Sequence, residues 1–314
     1  MRYLKRIKGD ASFRKFYRKK NKLYNSIIVF AKKEKLKNLL IYDAINKVLI
    51  KNKILAPKLL NEKYNKNFIE VQDFGNQRIF DVLKKRNNKF LYFKKIIKIL
   101  NQLQQIKDKN IKNFKDKRYT IPQYNKKMIS DEANLFCDWY IDKKLSTKNK
   151  RLFKKKFNKI IKDLISNLKF KDKVFVHRDF HVSNLMLVNK QIGVIDSQDA
   201  VIGNRAYDLA SLIDDVRLKT SISLKKKIFN FYIKKQNNLS FDKLKNDFEI
   251  LSILRNLKII GIFTRLAKRD GKKNYLKLIP HAWYLIRIRI NKNKVFKDLE
   301  YLLNENFKRE LYEN

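Results

Sequence analysis

Between Asn25 and Ala31 the chain reads NSIIVFA, a short apolar run. Between Lys37 and Asn52 it reads KNLLIYDAINKVLIKN, where apolar residues return every three or four positions. The first pattern is that of a buried strand and the second that of an amphipathic helix. FRKFYR at Phe13–Arg18, ILAPKLL at Ile54–Leu60 and FIEVQDFG at Phe68–Gly75 add short extended segments. Residues 1–75 are therefore expected to form a small strand-rich lobe with one helix. From about residue 78 the period becomes helical, in KKIIKILNQLQQI, NLFCDWYIDKKL, FNKIIKDLISNLKF, Leu224–Tyr232, ILRNLKIIGIFTRLAKR and YLIRIRI.

One interruption breaks this second region, VFVHRDFHVSNLMLVNKQIGVIDSQDAVIGNRAYDLASL, Val174 to Leu212. VFVH is a short apolar run. NLMLV and IGVID are two more, separated by a turn at Asn189, Lys190 and Gln191, and AYDLASLI restarts a helix. A small hairpin between helices is the expectation. The fold class is α+β, a two-lobed arrangement of a β-rich lobe (1–75) and a large, mainly helical lobe (76–314).

The formal charge is +46, from 76 Lys and Arg against 30 Asp and Glu. Such an excess fits a nucleic-acid or anionic-surface binding module, which would focus its cations on one face. Here the lysines are scattered through every segment, together with many Asn and Ile, as a strongly AT-biased genome imposes on exposed positions. No nucleic-acid partner is expected. A single cysteine, Cys137, makes no internal disulfide and no metal site. No apolar run is long enough to span a bilayer, so a cytoplasmic protein is expected, with no membrane association. Oligomeric state is not legible.

Against this background, Lys171–Asp215 holds seven aspartates and five bases. A local surplus of carboxylates in so basic a chain suits a hard cation with oxygen ligands. A tight antiparallel hairpin begins and finishes at one end, so Asn184 at its start and Asp196 at its finish should lie side by side, with Asp179 arriving from the preceding loop. One carboxylate and one amide oxygen suit magnesium, which completes its octahedron with water and phosphates. The second carboxylate is then available to take a proton from a hydroxyl. Taken singly, each of these residues is read equally well as part of a polar turn.

Together, His177-Arg178-Asp179 and Asn184 with a later Asp196 resemble the eukaryotic-type kinase set H-R-D-x-x-x-x-N plus metal aspartate. VIDSQDAVIGNRAYDLASL is similar to the aminoglycoside phosphotransferase and choline kinase superfamily. More narrowly, GDASFRKFYR, IPQYNKKMISDEANLFCDWY, HRDFHVSNLM and RNLKIIGIFTRLAKRDGKKNYLKLIPHAW resemble the bacterial anomeric kinases of N-acetylmuramate and N-acetylglucosamine of peptidoglycan recycling. The resemblance implies an ATP- and Mg²⁺-dependent kinase of an amino sugar. It makes Asp179 the base for the attacking hydroxyl and Asn184 and Asp196 the magnesium ligands. Arg178 either steadies the site or forms a structural ion pair, and His177 packs beneath the loop. Asp208 is expected to cap the helix of AYDLASL. Asp199 is a substrate or second-metal contact, or simply exposed.

At the nucleotide end the sequence departs from the protein-kinase pattern, with neither G-x-G-x-x-G nor V-A-I-K. The resemblance makes Gly9, Asp10, Ala11, Ser12 and Phe13 the phosphate-covering turn, and Gln72 and Asp73 the lobe connection whose backbone meets adenine. Lys32 and Lys33 follow NSIIVFA, but nothing selects which lysine reaches the phosphates. For the sugar, Glu132, Trp139, Arg255, Asn256 and Arg265 are candidates: Trp stacks on a pyranose and Arg meets a carboxylate. Helix-core and surface roles fit these five equally. The competing functions are an aminoglycoside or choline-type phosphotransferase, a basic nucleic-acid-binding module, and a pseudokinase, the last disfavoured by the intact Asp179, Asn184 and Asp196.

Overall fold

The computed structural model describes residues 4–7, 14–20, 25–171, 173–291 and 293–312. The expected phosphate turn Gly9–Phe13 lies outside them. The chain packs as two units, Met1–Pro122 with Val174–Ile202, and Gln123–Lys173 with Gly203–Asn314. The first unit thus takes residues 76–122 and the hairpin segment together with residues 1–75.

In the first unit, β1 (Leu4–Ile7), β2 (Lys15–Lys19) and β3 (Ser26–Phe30) precede α1 (Lys37–Lys51), β4 (Leu59–Lys63) and β5 (Phe68–Gln72). They form one antiparallel sheet in the order β1-β2-β3-β5-β4. The β3–β5 register sets Ser26 opposite Gln72 and Phe30 opposite Phe68. Alternation then sends Val29, Ile69 and Val71 inward, where they pack with Leu39 and Tyr42 of α1. ILAPKLL, expected to be extended throughout, enters the ladder only at Leu59. Pro57 has no N–H to donate. The exposed strand β1 has too little apolar alternation to be read from its sequence, LKRI.

Helices α2 (Ile79–Lys84) and α3 (Lys89–Gln104) follow, then a short hairpin of β6 (Asn110–Lys112) and β7 (Arg118–Thr120). The segment then returns with β8 (Lys173–Val176), β9 (Leu185–Val188), β10 (Gln191–Val194) and β11 (Val201–Asn204), β9 pairing with β10.

The described residues of the second unit fold mainly as helices: α4 (Lys126–Leu135), α5 (Thr147–Ser166), α6 (Ala206–Ile213), α7 (Ile222–Lys234), α8 (Phe241–Arg269), α9 (Ile279–Ile290) and α10 (Lys297–Tyr312). The expected helix NLFCDWYIDKKL becomes a π turn at Phe136–Tyr140 after α4. Phe136, Tyr140, Phe153, Phe157, Trp283 and Phe307 interlock as its aromatic core. Burial pushes the Cys137 thiol up to about 12, an inert group. Asp214 is fully buried; burial alone would raise its pKa, but Lys225 and Arg289 outweigh that and hold the carboxyl far below the usual range. Among the described residues no helix is long and apolar enough to cross a membrane.

Candidate active site

The loop that follows β8 is fixed from beneath by His177. The Asp179 N–H donates to His177 Nδ1 at 3.3 Å, so Nε2 carries the proton and donates to the Ile195 carbonyl at 3.1 Å. His177 is fully buried, and burial lowers its pKa, keeping the ring neutral as this pattern needs. The ring thus ties the loop to the end of β10. Arg178 adopts φ +74°, a left-handed backbone that costs a non-glycine residue roughly 1 kcal/mol. The side chain of Asp179, half exposed, emerges from this bend.

The hairpin is tighter than its sequence suggests. Val188 pairs with Gln191, leaving a two-residue turn, Asn189 and Lys190, with φ of +47° and +67°. These are the signs of a type I′ turn, whose twist matches the flanking strands. At the open end Leu185 faces Val194, and the Ile195 N–H donates to the Asn184 carbonyl at 3.1 Å. Asn184 and Asp196 therefore leave the same end of the ladder. The Asn184 amide donates to the Asp179 carbonyl at 3.1 Å, which turns its Oδ1 away from that bond.

Asp196 has φ +65° and a partly exposed carboxylate. Its Oδ1 accepts from Arg14 at 2.5 Å, and the same guanidinium donates to Gln198 at 2.8 Å. Ser197 is bonded to Asn46 of α1. Asp199 is exposed and accepts from the Gln198 amide. Neither Asn184 Oδ1 nor Asp196 Oδ2 meets a protein donor among the described residues. One amide oxygen and one carboxylate oxygen are the hard donors magnesium takes. The described residues contain no cage of three or more His, Cys, Asp or Glu.

The connection after β5 is held by Arg18, which donates to Asp73 at 2.5 and 3.0 Å, to Asn76 and to the Gly75 carbonyl. The Asp73 side chain is thus engaged in shaping the turn, and Gln72 ends the β5 ladder. Phe74 packs against Gly193 of β10, where a Cβ would come within 2.6 Å of the ring. The connection and the hairpin are therefore in direct contact.

In the second unit the five sugar candidates separate. Glu132 accepts from Tyr124 and from Lys258 at 2.8 Å, and lines a narrow cleft with Arg255 and Tyr207. Asn256 is buried and bonds back to its own helix at Ser252. Arg265 lies ten residues beyond Arg255 on α8, about 15 Å along the axis. Trp139 is at that far end too, its carbonyl accepting from Lys268. Asp208 stands in the first turn of α6, three positions after the N-cap Arg205. It is buried, and the first N–H of the helix, at Ala206, is taken by Asn204 at 2.9 Å.

Residues 4–242 match the phosphotransferase enzyme family. The chain belongs to that family. The match takes in the sheet, the hairpin and all three of Asp179, Asn184 and Asp196. Two relatives are named N-acetylmuramate/N-acetylglucosamine kinase. The one from Neisseria meningitidis is 26% identical over 89% of this chain and 83% of its own length. The one from Pseudomonas aeruginosa is 27% identical over 94% of this chain and 86% of its own length. Among solved structures, the ADP-bound aminoglycoside phosphotransferase APH(2'')-Ib superposes with a TM-score of 0.62 at 16% identity, covering 89% of this chain and 91% of that one. The kinase-like fold is thereby established.

Arg14 is the site residue that sequence reasoning missed. Its signal was present: in SFRKFYR it stands one position before β2, on the inward-facing phase of Phe16. Among 76 cations, that phase was its sole distinction.

Proposed function

We propose that the chain is an ATP- and magnesium-dependent kinase that transfers the γ-phosphoryl group to the anomeric hydroxyl of N-acetylmuramate or N-acetylglucosamine. The observation that carries this reading is the emergence of Asn184 and Asp196 from one end of a hairpin whose adjoining loop presents Asp179. The sugar is supported by relatives of that name aligned over 89% and 94% of this chain.

Magnesium, when bound, supplies charge neutralisation at the nucleotide phosphates. Asn184 and Asp196 hold it. Asp179 orients the acceptor hydroxyl and takes its proton, while His177 and the left-handed Arg178 keep the loop in place. In the lobe of residues 1–75, the backbone of Gln72 and Asp73 meets adenine. In the lobe of residues 76–314, Glu132 and Arg255 are the leading acceptor groups, with Asp199, Trp139, Asn256 and Arg265 as further candidates. The Glu132 carboxylate is matched by Lys258, and Asp214 by Lys225 and Arg289. That balance favours a neutral or anionic acceptor over a polycationic aminoglycoside. An ATP-consuming enzyme with one inert buried thiol belongs in the cytoplasm.

The test is phosphorus NMR of products formed from MgATP with N-acetylmuramate, N-acetylglucosamine, choline and kanamycin. The expected result is a phosphate ester coupled to the anomeric proton of the amino sugar. Turnover of choline or kanamycin with none of either amino sugar overturns the assignment.

A further inference from the structure

Kinases place a lysine on the third strand of the small lobe, where it meets the nucleotide phosphates and pairs with a glutamate of the following helix. Strand β3 here reads SIIVF and carries no cation. Lys32 and Lys33, just beyond it, are exposed. On α1, Asp43 is engaged by Lys47. Neither half of the usual pair is therefore in its usual place.

A different cation occupies the region. Arg14 is 5% exposed and precedes β2. Its guanidinium donates to Asp196 and Gln198 and lies 5.5 Å from the ring centroids of both Phe16 and Tyr42. Tyr42 belongs to α1, so that helix still meets the buried cation, through a ring face in place of a carboxylate. Burying a guanidinium costs several kcal/mol unless its donors are matched, and here a rigid fork is spread over two acceptors of one loop.

We infer that Arg14 is the phosphate-contacting cation of the nucleotide site, replacing the strand lysine. This rests on the kinase reading, in which Asp196 is a magnesium ligand. Two ligands of one magnesium, each about 2 Å from it, lie within about 4 Å of each other. A phosphate oxygen sharing the ion with Asp196 is therefore within reach of a guanidinium already bonded to Asp196. In the free chain the same guanidinium, bonded to Oδ1, neutralises Asp196 and weakens the hold of its Oδ2 on a cation.

The test compares binding of MgATP and of adenosine by calorimetry, without acceptor and without turnover, in the wild type, Arg14→Gln and Arg14→Lys. Arg14→Gln should weaken MgATP at least tenfold while adenosine changes less than twofold, and Arg14→Lys should recover part of the loss. Mg²⁺ alone should raise the melting temperature of Arg14→Gln at lower concentration than that of the wild type, because the cation that neutralises Asp196 is gone. Equal weakening of both ligands identifies a structural arginine and overturns the inference, as does unchanged MgATP affinity. Should Arg14→Gln fail to fold, the MgATP-to-adenosine ratio of Arg14→Lys decides by the same criterion. A wild type that binds adenosine but shows no preference for MgATP overturns the kinase reading and this inference with it.

Discussion

Ser197 donates its hydroxyl to Oδ1 of Asn46 at 2.8 Å, a fully buried bond spanning 151 positions of the chain. The same Asn46 side chain donates to the Pro57 carbonyl at 3.0 Å. The helix beside the sheet and the residue after Asp196 are thus fixed to one another by one amide. Ser197→Ala strands a buried acceptor and should cost about 1–3 kcal/mol in chemical denaturation. A cycle with Asn46→Ala should show coupling of at least about 0.5 kcal/mol; strictly additive losses would mean that the bond carries no stability.

Asp179→Asn keeps the shape of the side chain and removes the proton acceptor. The expected fall in kcat is about 10²- to 10⁴-fold, the range for a positioned general base, with MgATP affinity within about twofold of wild type. Retention of most of the rate would take the base role away from Asp179. The Asn184 amide bonds to the backbone carbonyl of residue 179, which the substitution leaves in place, so the loop should keep its conformation.

The hairpin was legible because its two apolar runs alternate with turn residues, and because a ladder forces Asn184 and Asp196 to one end whatever the turn. The turn is one residue shorter than its sequence suggests, since Gln191 has no local mark that assigns it to strand or loop. Arg14 was hidden for the opposite reason. Its meaning lies in a contact with residue 196, and local sequence carries no record of a partner so distant. Asn204 is a third case: its bond to the Ala206 N–H at the start of α6 is an Asx turn that the polar residues ahead of AYDLASL do not single out.

His177 links pH to stability. Burial depresses its folded-state pKa below the unfolded value of about 6.5, so the unfolded chain binds the proton more readily. Its contribution is therefore present above about pH 6.5 and is lost as pH falls from there toward the depressed folded value. His281, bonded to the Val216 carbonyl and likewise depressed by burial, acts in the same direction. The melting temperature of His177→Gln should fall less than that of the wild type between pH 7 and pH 5.5. An identical fall in both would show that His177 does not titrate with unfolding.

Gly261 tests the packing of the second unit against a general rule. Glycine to alanine within a helix ordinarily gains up to about 1 kcal/mol, because alanine is the better helix former. At Gly261 of α8, however, an added Cβ would stand 2.2 Å from the Leu135 carbonyl oxygen and 2.7 Å from the Phe136 nitrogen. Both are backbone atoms, at the junction of α4 and the π turn, and no rotamer change relieves them. The overpacking cost, about 1–3 kcal/mol or more, should outweigh the propensity gain. Gly261→Ala is expected to lower stability by at least about 1 kcal/mol in urea unfolding. A stabilised variant would show that α8 and the π turn are not in this close contact.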